Sequence, residues 1–318
     1  MSETLEIWDK PKSKEIYMLA GWRQWVDGGK ISSGLPYYLM KHYGAKKIGE
    51  IRPDGFYLFQ LPGTQDMLRP VVRHKDGIPV SLQERRNEFY YAEVDGRGVV
   101  FFIGDEPHLD IERYTEAFLE FINKLKIKRT VIFGGIYGEV PYDKERIVSS
   151  IFSTESLREE VSNLVVNLSS YSGGASIGSV VTKRAGEQDI ELVGLYTFSP
   201  IFQFATMERG HETVHIEKDY LAWLGVMRRV IHMLNIDFDL SDLEKRSERM
   251  IRKLDARMEE LDKKNPEIGV AEYIQHLSDD FDEADFTPLE DVWQDELKRL
   301  GGILDVDVDE DDAGIGEG

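Results

Sequence analysis

DIERYTEAFLEFINKLKIKRTVIFGG, residues 110–135, decides the fold class. Asp110 stands where an N-cap belongs, and Ile111, Phe118, Leu119, Ile122 and Leu125 mark one apolar helix face. The basic run Lys124–Arg129 then sits at the helix end, where cations suit the negative pole of the dipole. Thr130–Phe133 is a short apolar strand, and Gly134-Gly135 ends it. A helix delivering the chain into a buried strand that stops at glycines is the repeating unit of an α/β sheet.

Outward from this unit the pattern continues. Downstream come a strand at Ile147–Phe152, a helix near Glu155–Val161, a strand at Leu164–Leu168, a Gly/Ser loop at 169–179 and a strand at Glu191–Thr197. Lys218–Leu234 reads as a long apolar helix lying across the sheet. Upstream, Glu15–Ala20 is a buried strand that runs into a glycine-rich loop, Gly21 to Gly29. A helix follows over Ser33–Tyr43, with Pro36 in its first turn. Lys47–Ile51 and Phe56–Gln60 read as strands. Val71–Arg73 with Ile78–Ser81, and Asn87–Val94 with Gly98–Ile103, bracket turns and read as two antiparallel hairpins. The expectation is an α/β fold with a mixed sheet.

Beyond Asp237 the composition shifts. Ser241 and Glu244 have capping-box spacing, and Ile251, Leu254, Met258 and Leu261 form a helical stripe expected to dock on the body. Two shorter helices are expected near 270–278 and 288–300. The chain therefore divides into an α/β domain (1–237), a helical extension (238–277) and a short helix with an acidic, solvated tail (278–318).

The formal charge is −20 over 318 residues, but residues 278–318 hold 16 acids against 2 bases. The remainder carries only −6, so the acidity belongs to the end of the chain. No basic stripe of the kind nucleic acid requires is present. With no cysteine, thiolate catalysis and disulfides are excluded. No apolar run reaches the length of a membrane span, and residues 1–14 lack a signal-peptide core, so a soluble, cytoplasmic protein is expected.

Several short motifs suggest chemistry. His211-Glu212-Thr213-Val214-His215 is a literal H-E-x-x-H, which on a helix would place two imidazoles on one face for zinc with Glu212 as base. Its β-branched residues and the lysine at 218 argue against that setting. Gly174-Ala175-Ser176-Ile177-Gly178 is a literal G-x-S-x-G, but Ser169–Gly173 separates it from the preceding strand, unlike a nucleophile elbow. Gly21–Gly34 is not a phosphate-binding Walker loop, since Ile31 follows Gly29-Lys30. Asp305–Asp309 imitates the start of a calcium loop, yet Glu310 replaces the glycine it needs. Trp22 and Trp25 are expected to cap the sheet edge. A small anion or ligand would be held by Gly21, Asp27, Gly28, Gly29, Gly134, Gly135, Gly173 and Gly174, if these loops gather at strand C-terminal ends.

Leu19–Trp22 through Gly28-Gly29, Gly44–Ile51, Asp54–Tyr57, Val131–Gly135, the Pro141 region, Tyr171–Gly174, Gly194–Tyr196, Asp219-Tyr220 and Leu240–Glu244 together resemble the PAC2 family of proteasome-assembly-chaperone-like proteins. The resemblance spans about residues 15–260. It implies a three-layer α/β/α fold similar to phosphorylase- and hydrolase-type cores, a non-enzymatic protein-binding or assembly role, protein partners and homo-oligomers. It implies no cofactor and no catalytic residues. Zinc-dependent hydrolysis at His211, Glu212 and His215, serine hydrolysis at Ser176, and anion binding by the glycine loops are the alternatives. Proteasome-docking members end in a hydrophobic–tyrosine–any-residue tail, whereas residues 316–318 are Gly-Glu-Gly, so docking on the proteasome is not expected.

Overall fold

Alternation along the strands builds one sheet with apolar side chains on both faces. The computed structural model describes residues 4–23, 25–60, 69–206 and 210–281. Twelve strands are described: β1 Leu5–Ile7, β2 Ile16–Arg23, β3 Lys46–Ile51, β4 Val71–Lys75, β5 Ile78–Gln83, β6 Asn87–Val94, β7 Arg97–Asp105, β8 Arg129–Gly138, β9 Val148–Phe152, β10 Asn167–Leu168, β11 Leu192–Thr206 and β12 Gly210–His215. The α-helices are α1 Ile31–His42, α2 Ile111–Leu125, α3 Arg158–Ser162, α4 Ile177–Gly186, α5 Tyr220–Leu234, α6 Ser241–Lys264 and α7 Val270–Asp279. The main sheet runs β1-β3-β6-β7-β2-β8-β11-β9-β10, with β12 paired to β11. β7, β2, β8 and β11 are mutually parallel, while β3, β6 and β12 join antiparallel. The mixed sheet and its covering helices are as the sequence implies.

Period-two alternation sorts the core into two layers. Tyr17, Leu19, Val99, Phe101, Val131 and Phe133 face α1 and α5, meeting Leu35, Leu39, Trp223 and Val230. Met18, Ala20, Val100, Phe102 and Ile132 face the other way, against α2 and α4. There Trp22 lies 5.3 Å from the rings of both Phe102 and Phe118, so it is a core residue rather than an edge cap. Burying each such ring stabilises the fold by about 1.5–3 kcal/mol. The expected stripe on α6 does dock: Met258 and Leu261 pack on Phe202, Phe204, Val214 and Ile216 of the β11–β12 ribbon.

Four local readings differ from the structure. Phe56–Gln60 is not a strand; the Phe56 carbonyl accepts from the His108 and Leu109 N–H groups instead, and its ring is buried. The capping box is absent, because Leu240 precedes α6 and the Ser241 N–H is held by the Asp239 carboxylate. Asp110 does occupy the N-cap of α2, but its side chain pairs with Arg113 rather than capping. Leu164–Leu168 shrinks to two paired residues. The expected helix at 288–300 and the acidic tail from 282 onward, including Asp305–Glu310, lie outside the described residues.

The segment after β8 is clamped to α5 by two adjacent buried ion pairs. Arg146 donates to Asp219 Oδ2 at 2.9 Å and Oδ1 at 3.3 Å, and to the Pro141 and Tyr142 carbonyls. Asp219 caps α5 by accepting the Ala222 N–H at 3.0 Å, and it also accepts the Ser199 hydroxyl. Its neighbour pair is Arg229 with Glu145 at 2.8 Å. Removing one member of such a pair strands a buried charge. Asp219→Ala is therefore expected to cost about 3–5 kcal/mol, read as a lower urea midpoint at unchanged slope.

Candidate functional site

β2 and β8 end side by side, and the loops that leave them meet β11 and the start of α4 around a cleft of about 1360 Å³. This is the C-terminal edge of the parallel strands, where open α/β sheets place their pockets. Its lining includes Trp25, Asp27, Gly28, Lys30, Gly135–Tyr137, the whole of 168–176, Tyr196–Phe198, His215 and Glu217.

The glycine-loop residues divide by role. Gly28, Gly135, Gly173 and Gly174 line the cleft. Asp27 forms an isolated parallel bridge with Gly135, and a Cβ on Gly135 would stand 2.0 Å from the Gly28 carbonyl oxygen. Gly21, Gly29 and Gly134 instead let elements touch. A Cβ on Gly21 would fall 1.7 Å from the Ser32 oxygen, and one on Gly134 2.2 Å from the Tyr196 ring. Gly29 holds φ +58° against Ser199 and Asp219, and its carbonyl accepts the Asp219 and Trp223 N–H groups. The loops thus gather at one edge, as ligand binding would require, but only part of the set faces the space.

Electrostatics around the edge follow one rule: a carboxylate of the chain itself sits at the N-terminus of each of three helices. Asp27 accepts the Ser33 N–H at 2.9 Å and the Ser33 hydroxyl at 2.7 Å in the first turn of α1, with Lys30 at 3.1 Å. Glu106 accepts the Ile177 N–H of α4 at 2.9 Å and the Trp25 N–H at 3.2 Å. Asp219 does the same for α5. One first-turn N–H of each helix, a donor that a phosphate would seek, is thereby engaged internally. The open wall, by contrast, is aromatic and small-polar: Trp25 is 70% and Tyr171 75% exposed, set among Ser169, Ser170, Ser172 and the two glycines.

H-E-x-x-H lies on β12, a strand, not on a helix. Residue 211 pairs with Ala205, while Glu212 contacts Arg257 of α6 and His215 faces the Tyr137 ring at 5.8 Å, so Glu212 and His215 turn to opposite sides. The four-residue helical spacing that motivated a zinc reading does not apply to this backbone. Among the described residues no group of three His, Asp or Glu could hold a metal ion. Ser176 is the N-cap of α4: its Oγ accepts the Ser179 N–H at 3.3 Å and lies 3.2 Å from the Ser179 hydroxyl. That is a cap's work rather than a nucleophile's.

Sequence reasoning passed over Glu106, and took Asp219 only as part of the family resemblance, with no role at the site. Asp219 had a readable signal, an acid directly before a long apolar helix. Glu106 reaches Ile177 across 71 residues, and no local pattern marks it.

The sequence model of the PAC2 family matches residues 22–258. Solved structures with the same fold include a proteasome-assembly chaperone homologue of Mycobacterium tuberculosis, at 22% identity and TM-score 0.63, covering 76% of this chain and 94% of that one. A PAC2 family protein of Streptomyces avermitilis has 19% identity and TM-score 0.64, covering 81% and 99%. The Pyrococcus furiosus protein PbaB, an archaeal proteasome activator, has 18% identity and TM-score 0.55, covering 79% and 98%. No curated protein sequence matches this chain.

Burial raises the pKa of both Asp27 and Glu106 from their ordinary values. The folded state therefore binds protons more tightly than the unfolded chain at these sites, so their contribution to stability falls as pH rises through the shifted values. The double substitution Asp27→Asn, Glu106→Gln is expected to flatten the decline in urea midpoint as pH rises upward from the ordinary carboxylate values. An unchanged slope in the variant would refute that assignment.

Proposed function

The chain belongs to the PAC2 family, and from that premise we propose a non-enzymatic, protein-binding role of the assembly-chaperone kind, exercised in the cytoplasm by self-associating copies. The observation that carries this reading is the composition of the cleft. Exposed Trp25 and Tyr171 stand beside a Ser/Gly-rich loop, with the acids already engaged at helix ends. Tyr and Trp offer large, stiff contact area, and Ser and Gly adaptable hydrogen bonding, the mixture that polypeptide recognition favours. A hydrolase would instead need a nucleophile, a base and an oxyanion donor converging on one point. Structural relatives that are a proteasome-assembly chaperone homologue and a proteasome activator fit a partner that is itself a protein.

Affinity capture with the tagged chain is expected to recover a defined protein partner. Trp25→Ala with Tyr171→Ala should weaken that complex at least ten-fold, about 1.4 kcal/mol or more, while leaving the melting temperature unchanged. Failure to find a partner, together with turnover in an ester or peptide screen, would replace this reading with the hydrolase one.

A further inference from the structure

The exposed face of α6 carries two charge patterns. Near its C-terminus Lys263 stands 3.3 Å from Glu259 and Lys264 2.5 Å from Glu260, each cation answered four residues back. Towards its N-terminus the four-residue neighbours are alike instead: Lys245, Arg249, Lys253 and Arg257 follow one another at that step. Like charges so spaced weaken a helix. Arg257 is answered by Glu212 and Glu260. Lys245, Arg249 and Lys253 are exposed, and none of the three forms an ion pair among the described residues. The acids of that stretch are engaged otherwise: Asp242 with Arg246 and Tyr38, Glu244 with Arg228, and Glu248 with Arg252. Asp239, which Lys245 influences only from a distance, accepts the Ser241 N–H.

The row of cations has a fixed pitch. Four helical residues rise about 6 Å, so Lys245, Arg249 and Lys253 stand nearly in line over about 12 Å. An extended chain sets alternate residues on one side at steps of about 6.8 Å. Asp305, Asp307, Asp309 and Asp311 follow at that two-residue step, in a stretch where six of the eight residues from Asp305 to Asp312 are acids and none is basic. The chain also leaves the described residues close by. α7 follows a turn of residues 265–269, its Ala271 N–H is bonded to Asp262 of α6 at 3.1 Å, and both helices pack on one apolar cluster. Helices joined so briefly run back along each other, so Phe281 heads towards the N-terminal half of α6. Residues 282–304 give a reach of up to about 75 Å, against a helix about 36 Å long.

We propose that the acidic run Asp305–Asp312 docks, extended, on this face of its own chain, its alternate aspartates meeting Lys245, Arg249 and Lys253 step for step. The mismatch of about 1 Å per step is taken up by the long lysine and arginine stems. The like-charged row thereby gains the anions that the rest of the fold withholds, and α6 is covered by a segment that salt can lift. An acidic partner of α6 must displace the run before it can bind. Nothing in this contact depends on what the cleft holds.

The chain has no cysteine, so introduced ones report cleanly. Ala256→Cys, on the exposed face of α6, and Ala313→Cys, just past the run, are spin-labelled together on the full chain. The labelled chain is diluted into excess unlabelled chain, and the distance is read by pulsed electron resonance. The expected result is a narrow distribution shorter than α6 itself, about 36 Å, that broadens in molar salt. Asp305→Asn with Asp307→Asn, Asp309→Asn and Asp311→Asn should shrink the narrow population about ten-fold, as should Lys245→Gln with Arg249→Gln and Lys253→Gln. Removing four charges elsewhere, by Asp282→Asn, Glu283→Gln, Glu290→Gln and Asp291→Asn, should leave it in place. A broad distribution in the unsubstituted chain, or a narrow one indifferent to salt and to the cations, overturns the docking. A short distance that disappears on dilution overturns it too, since the run would then lie on a second copy. Equal loss from the last variant overturns the choice of Asp305–Asp312 as the occupant.

Discussion

The pairing of Arg146 with Asp219 holds the functional edge of this protein in place. Five hydrogen bonds from one guanidinium reach the Asp219 carboxylate and the Pro141, Tyr142 and Lys144 carbonyls, all within the fold's interior. The same carboxylate starts α5 and fixes Ser199 on β11, and the Asp219 backbone N–H seats the Gly29 turn that leads into α1. Four segments distant in sequence therefore meet at one residue. A buried pair is costly to dehydrate, and its merit lies in tolerating only one arrangement of the groups around it.

Asp27 and Glu106 extend the principle along the sheet edge. In each helix that starts there one first-turn N–H is answered by an acid: Asp219 directly before α5, Asp27 just upstream of α1, and Glu106 from far along the chain for α4. Glycine loops next to helix starts suggest anion binding when read in sequence, since the pattern records the backbone and not what answers it. What the edge offers outward is contact area, from Trp25, Tyr137 and Tyr171, and a hydroxyl-rich loop. Such a surface suits a polypeptide better than a phosphate.

The layers of the fold were legible because they depend on local periodicity. Residues 110–135 contain a helix face, a basic end and a strand, and each appears where its pattern places it. The second hairpin at 87–105 was equally plain. Phe56–Gln60 misled because an apolar aromatic pair resembles a strand until one asks where its backbone bonds go. The H-E-x-x-H motif misled in the same way, for its meaning depends on a helical backbone and residues 210–215 pair as a strand. The cleft was only half readable. The sequence pointed to the glycines that gather there, but which of them face the space is set by contacts such as Gly134 with Tyr196 and Gly21 with Ser32. Those contacts join segments far apart in the chain.

β11 runs unbroken for 15 residues. Its first half is bonded between β8 and β9 in the main sheet, and its second half carries β12 and the apolar seat of α6 and α7. Tyr196 to Phe198, on the cleft floor, lie near the middle of that length. Val193–Thr197 is bonded on both sides and the rest of β11 on one side, so the C-terminal helices and the cleft floor are carried by one continuous strand. A displacement at the helical end therefore reaches the floor of the cleft through a single stretch of backbone.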